Sequence, residues 1–134
     1  MRILVADDDR LNRGLLVEFL SEYGDCDEVG DGVAAMGAYG EAIEEGRPYE
    51  LLCLDIMMPQ LDGLGVLRQV QEVYAEFGEE RAGAPPKVIM MTAVEDMEYI
   101  NAAFELGCDA YASKPIDMEK IREVMHNLGL APKG

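Results

Sequence analysis

The sequence predicts an α/β fold: a five-stranded parallel sheet, doubly wound, with helices on both faces in the order (βα)5. Three observations carry that prediction. Residues 2–6 and 49–54 each carry a continuous apolar run, Ile3 to Ala6 and Leu51 to Leu54, cut off by aspartate, as expected of strands buried on both faces. Between such runs lie stretches whose apolar residues recur at helical spacing. Gly and Pro clusters separate the two kinds of segment, and right-handed crossovers then permit little besides a parallel sheet.

Taken in order, Ile3, Leu4, Val5 and Ala6 form the first strand, ended by Asp7, Asp8 and Asp9. Leu11, Leu15, Leu16, Phe19 and Leu20 make one helical stripe, which Gly24 is expected to close. Residues 26–29 are too polar for a central strand and read as an outer one. Val33, Met36, Tyr39 and Ile43 give a second helix, weakened by about 1 kcal/mol at each of Gly37 and Gly40. After the strand ending at Asp55, Pro59 and Gly63 shape a turn into a helix carrying Leu64, Leu67, Val70, Gln71 and Tyr74. Residues 75–86, rich in Gly, Glu, Ala and Pro, are expected to be a surface loop. Residues 88–91 form a buried strand ending at Thr92; Ile100, Ala103 and Phe104 mark a helix stopped by Gly107; residues 111–113 are a last strand; Met118, Ile121, Val124, Met125 and Leu128 give the final helix.

A chain of 134 residues is the size of one domain and needs no disulfide or metal to hold its core. The domain is expected over residues 1–130, with 131–134 a tail. The 11 Lys and Arg against 27 Asp and Glu give a formal net charge of −16, which repels phosphate backbones and anionic lipid. No direct nucleic-acid binding is therefore expected, and cations and basic partners are favoured. The 3 cysteines, Cys26, Cys53 and Cys108, have no metal-site spacing and point to free thiols in a reducing compartment. With no signal-peptide core and no long apolar run, a cytoplasmic location without membrane insertion is expected.

The residues that carry chemistry gather at the carboxyl ends of the strands, where open α/β sheets bind ligands. Asp7, Asp8 and Asp9 follow the first strand, Asp55 ends the third, Thr92 ends the fourth and Lys114 follows the fifth. Converging carboxylates repel unless a cation or proton neutralises them, and an all-oxygen set of this kind suits Mg2+. Asp55, left exposed at the rim by the Pro59 to Gly63 turn, has the chemistry of a nucleophile toward a phosphoryl group. Lys114 can neutralise transferred phosphate, Lys114-Pro115 permits a cis bond, and Thr92 offers a hydroxyl to a phosphoryl oxygen. An aspartate before a helix is also an ordinary N-cap.

Jointly, Leu4-Val5-Ala6-Asp7-Asp8-Asp9, Leu54-Asp55-Ile56-Met57-Met58-Pro59 with Leu61-Asp62-Gly63, Met91-Thr92-Ala93 and Lys114-Pro115 resemble the receiver domain of two-component response regulators. The resemblance implies a flavodoxin-like sheet of strand order 2-1-3-4-5. It implies that Asp55 accepts a phosphoryl group from the phosphohistidine of a sensor histidine kinase. Asp8 would bind Mg2+ directly and Asp7 mostly through water, the Met57 main-chain carbonyl completing the set with Asp55. Lys114 would pair with phosphoryl oxygens, Thr92 would swing inward, and Tyr111 would follow as the aromatic switch. Partner binding would lie on the fourth helix, fifth strand and fifth helix, toward a downstream protein target or a phosphotransfer protein. Such a domain is a phosphoacceptor switch that assists its own phosphotransfer and dephosphorylation rather than an enzyme. Its architecture is that of a stand-alone receiver or one excised from a larger protein.

Other classes fit the residues less well. A haloacid-dehalogenase-type phosphatase places a second acid two residues beyond its strand-end aspartate, where this chain has Met57. An FMN-binding flavodoxin-like protein needs a Ser/Thr/Gly loop after the first strand, and three aspartates there repel phosphate. A receiver-like scaffold without phosphorylation is expected to have lost one of Asp55, Lys114 or the acids, and all are present. Met57 and Val94, two residues beyond Asp55 and Thr92, are apolar where similar proteins tune access of hydrolytic water. Met36, Met90, Met91, Met97, Met118 and Met125 are expected to pack the interior, and His126 to lie on the surface.

Overall fold

Apolar runs long enough to be buried on both faces make the centre of the sheet. In the computed structural model, which describes residues 1–133, β1 (Arg2–Ala6), β3 (Leu51–Asp55) and β4 (Lys87–Thr92) bury every residue beyond their first or second. The more polar β2 (Asp25–Val29) and the short β5 (Ala110–Ser113) take the edges; acidic side chains guard the unpaired backbone of β2, and β5 limits its own by being only 4 residues long. All neighbours are parallel, in the order β2-β1-β3-β4-β5.

Side chains alternate across each strand, so the sheet has two cores. Leu4, Ala6, Leu52, Leu54, Val88 and Met90 pack against α2 (Gly32–Glu44), α3 (Gly63–Ala82) and α4 (Ile100–Glu105). Ile3, Val5, Leu51, Cys53, Ile89 and Met91 pack against α1 (Arg10–Leu20) and α5 (Met118–Asn127). The chain therefore leaves β1 and β3 toward opposite sides, and their carboxyl ends flank the crevice of a doubly wound sheet. Aspartates start the helices: Asp9, Asp31, Asp62 and Asp117 each accept backbone N–H bonds at an N-cap, worth about 1 kcal/mol apiece.

Several elements depart from the sequence reading. Residues 75–86 are not mainly loop: α3 continues to Ala82, interrupted at Gly78, whose φ of 73° and ψ of 175° break the helix for one residue. The Glu and Ala counted toward a loop are good helix formers, as is Arg81, and burial of Ala82 anchors the last turn. Gln71 is exposed, while Val66, Leu67 and Val70 form the buried face. Helix α1 ends at Leu20 with Ser21 as its cap, before Gly24; Leu16, Phe19 and Leu20 face the sheet, and Leu11 stands outside, 72% exposed. In α2 the buried stripe is Ala35, Tyr39, Ala42 and Ile43, and Val33 is exposed. A 3-10 helix over Val94–Tyr99, its acids Glu95 and Asp96 in the first turn, precedes α4. Met97 on it is exposed rather than part of the interior, whereas Met90, Met91 and Met125 are fully buried.

Two glycines set opposite expectations. A Cβ on Gly63 would stand 2.5 Å from the Asp55 carbonyl oxygen and 3.0 Å from the Ile56 Cα, both backbone. Gly37 is exposed inside α2 with nothing within 4 Å of such a Cβ. Urea unfolding should show Gly63→Ala destabilised by about 1–3 kcal/mol and Gly37→Ala stabilised by about 0.5–1 kcal/mol.

Candidate functional site

The turn after β1 is built to converge acids. Its backbone leaves the sheet at Asp7, whose N–H donates to the Val29 carbonyl at 3.2 Å. The Asp9 N–H then donates to Asp7 Oδ1 at 2.8 Å, while the Asp9 carboxylate turns away to accept from the Leu11 and Asn12 N–H groups. Asp9 is thus spent as a cap, and Asp7 and Asp8 face the crevice with Asp55. Carboxylate oxygens of Asp7, Asp8 and Asp55 lie within 4.8 Å of one another.

The turn after β3 closes the floor. The Gly63 N–H donates to the Ile56 carbonyl at 2.8 Å, Gln60 adopts a left-handed φ of 74°, and the Met57 N–H reaches Asp55 Oδ1 at 3.3 Å. Asp55 is not exposed at the rim as the turn suggested; it is 4% exposed, sunk at the end of the central strand. Lys114, whose N–H donates to the Thr92 carbonyl at 2.7 Å before a cis bond to Pro115, reaches back over it. Its Nζ stands 2.9 Å from Asp55 Oδ2 and 3.3 Å from Asp7 Oδ2.

Electrostatics at this point are unbalanced. Burial pushes the Asp55 carboxyl up to about 7, with the Asp7 charge adding to the rise and Lys114 opposing it. Burial pulls the Lys114 ammonium down, but its bonds to Asp55 and Asp7 outweigh that, and it is held above its usual value. Asp7 Oδ2, fully buried, accepts no hydrogen bond; the nearby Lys114 Nζ approaches it outside hydrogen-bonding geometry. A buried carboxylate oxygen lacking a donor, beside two further carboxylates, fits a hard divalent cation better than another amine.

The remaining candidates stand farther out. Thr92 is fully buried at the end of β4, one residue past Met91, which pairs with Asp55; its hydroxyl donates to the Ala93 carbonyl at 3.0 Å rather than to the acids. Tyr111 lies outward on β5, 40% exposed, edge-on to Phe104 with ring centroids 6.2 Å apart. Met57 and Val94 side chains are 47% and 70% exposed. His126 is exposed on α5, and Cys26, Cys53 and Cys108 are free thiols. Sequence reasoning missed Arg13, which donates from Nη1 to the Asp7 carbonyl at 2.8 Å and from Nε to Glu28 at 3.0 Å. Its only sequence signal was its place one turn past the Asp9 cap.

Three carboxylates and one lysine thus gather at the switch point of a doubly wound parallel sheet, the arrangement that the resemblance to receiver domains implies. The chain belongs to the response regulator receiver domain family, whose model matches residues 3–126. It is 33% identical over 122 residues to the transcriptional regulatory protein CiaR of Streptococcus pneumoniae, covering 91% of this chain and 48% of that protein. It is 27% identical over 128 residues to the transcriptional regulatory protein GlnL of Bacillus subtilis, covering 96% of this chain and 37% of that one. The chain thus spans less than half the length of these relatives. Among solved structures, the receiver domain of NtrX from Brucella abortus superposes with a TM-score of 0.75 at 25% identity, covering 93% of this chain and 95% of that one. Phosphoryl acceptance is the general function of such domains. No helix among the described residues is long and apolar enough to cross a membrane.

The raised Asp55 carboxyl has a signed consequence. Folding favours its protonated form, so stability fully present below pH about 4 is lost progressively as pH rises through about 7. With a chelator present, Asp55→Asn should gain on the parent between pH 5 and pH 8 by about 1–3 kcal/mol in urea unfolding. A difference between the two proteins that does not change with pH would refute this.

Proposed function

We propose that this receiver accepts a phosphoryl group on Asp55 from the phosphohistidine of a sensor histidine kinase or a phosphotransfer protein. The observation that carries the reading is the ion pair of Lys114 Nζ with the buried Asp55 carboxylate, 2.9 Å apart, inside an acidic crevice. An Asp55 oxygen attacks phosphorus in line, the P–N bond to the donor imidazole breaks, and an acyl phosphate remains. Lys114 opposes the burial that favours the protonated nucleophile, and afterwards pairs with phosphoryl oxygen. Asp7, Asp8, Asp55 and the Met57 main-chain carbonyl would hold Mg2+, which supplies neutralisation of the charge on the transferred group. The chain acts as a switch with self-assisted transfer and hydrolysis, and its proposed setting is the cytoplasm.

The signal leaves by population shift. Thr92 trades its bond to the Ala93 carbonyl for one to a phosphoryl oxygen, and Tyr111 moves inward from Phe104. This changes the face of α4, β5 and α5 toward a downstream protein, with no direct contact to nucleic acid or membrane.

Acetyl phosphate with Mg2+ should add one phosphoryl group to the parent, read by intact mass, and none to Asp55→Asn; labelling of Asp55→Asn would place the acceptor elsewhere. Neither Met57 nor Val94 can hydrogen-bond a hydrolytic water through its side chain, so the acyl phosphate should be long-lived. Met57→Asn and Val94→Gln should each shorten its half-life several-fold, and decay no faster than the parent's in both variants would count against this account of lifetime.

A further inference from the structure

We infer that Arg13 is a positioning residue for the cation site, acting through the peptide that joins Asp7 to Asp8. The inference rests on the reading that these two aspartates hold a divalent cation. The two acids are held very differently. Asp7 is fully buried, its Oδ1 fixed by the Asp9 N–H at 2.8 Å. Asp8 is exposed, and its carboxylate takes part in none of the side-chain hydrogen bonds among the described residues. The direction in which it presents its oxygens is therefore set by the main chain on either side. The carbonyl of the peptide preceding Asp8 is gripped by Arg13 Nη1 at 2.8 Å, while Nε of the same planar fork is tied to Glu28 at 3.0 Å. Arg13 is largely covered, and its Nη1 lies 3.3 Å from where a Cβ on Gly30 would stand, so the guanidinium is wedged between α1 and the end of β2. A fork bonded at both prongs holds a peptide plane as a lysine's single rotatable ammonium cannot.

This assignment predicts a sign opposite to that of simple electrostatics. Removing a positive charge beside a cation site should tighten binding by Coulomb's law, whereas losing the group that orients a ligand weakens it, typically tenfold or more. Calorimetric titration of the full chain with Mg2+ decides between them, with folding checked by circular dichroism and urea unfolding. The parent should bind, Asp8→Ala should lose most binding, Arg13→Met should bind about tenfold more weakly, and Arg13→Lys should fall between parent and Arg13→Met. A role in stability alone would lower the urea midpoint and leave affinity per folded molecule unchanged. If Asp8→Ala loses binding while Arg13→Met binds as tightly as the parent or tighter, the positioning role is overturned and the cation site stands. Should Arg13→Met not fold, parent-like affinity in Arg13→Lys overturns it equally. A parent that takes up no Mg2+ removes the cation site and this inference together.

Discussion

The Lys114 ammonium is the counterweight on which the carboxyl edge of the sheet depends. Parallel strands that end side by side bring Asp7 and Asp55 into one buried crevice, where two negative charges in low dielectric repel strongly. Lys114 bonds to both, yet it comes from the turn just after the edge strand, from a backbone anchored on the Thr92 carbonyl. The same cation therefore stabilises the fold and ties β1, β3 and β5 into one electrostatic unit. Because it leaves Asp7 Oδ2 without a donor, the compensation is incomplete. That unmet negative charge favours a further cation in the crevice and, until one is bound, opposes an incoming phosphoryl group.

What surrounds the crevice is rigid for reasons unrelated to charge. Two aliphatic layers pin β1, β3 and β4 from both faces, and the glycine contact at Gly63 presses the β3 turn onto the strand that carries Asp55. Against that frame the groups proposed to move have loose or local partners. The Thr92 hydroxyl bonds only to its neighbour's carbonyl, and Tyr111 is held outward by one edge-on ring contact, worth on the order of 1 kcal/mol. A switch made of such small terms can be reversed by one phosphoryl group.

The parts that were legible in the sequence are those where one physical demand overrides all others. Strands buried on both faces must be apolar throughout, so residues 2–6 and 49–54 announce themselves, and the acids that end them fall at one edge by topology alone. Stripes on helices are less decisive: Leu11 and Leu15 share the periodicity of Leu16, Phe19 and Leu20, and only the rotation of α1 against the sheet separates exposed from buried. Composition misled at residues 75–86, where a solvated helix and a loop use the same residues. Burial of Asp55 was hidden because depth at the end of a central strand depends on flanking strands that come from distant parts of the chain. Arg13 was invisible because its partners are a backbone carbonyl and a glutamate of β2, neither of which the periodicity of α1 marks.

The break at Gly78 makes α3 two cooperative units rather than one. Residues Glu79, Glu80, Arg81 and Ala82 form a single turn bracketed by left-handed glycines at 78 and 83, closed by the Gly83 N–H on the Glu79 carbonyl at 2.9 Å. An uninterrupted helix frays from its end inward, each lost bond exposing the next. Here the fraying stops at the break, so amides of the final turn exchange with solvent on their own schedule while those of Val66 to Val70 follow the opening of the whole core. Insertions or attachments at that turn are thereby insulated from the helix that carries the floor of the crevice.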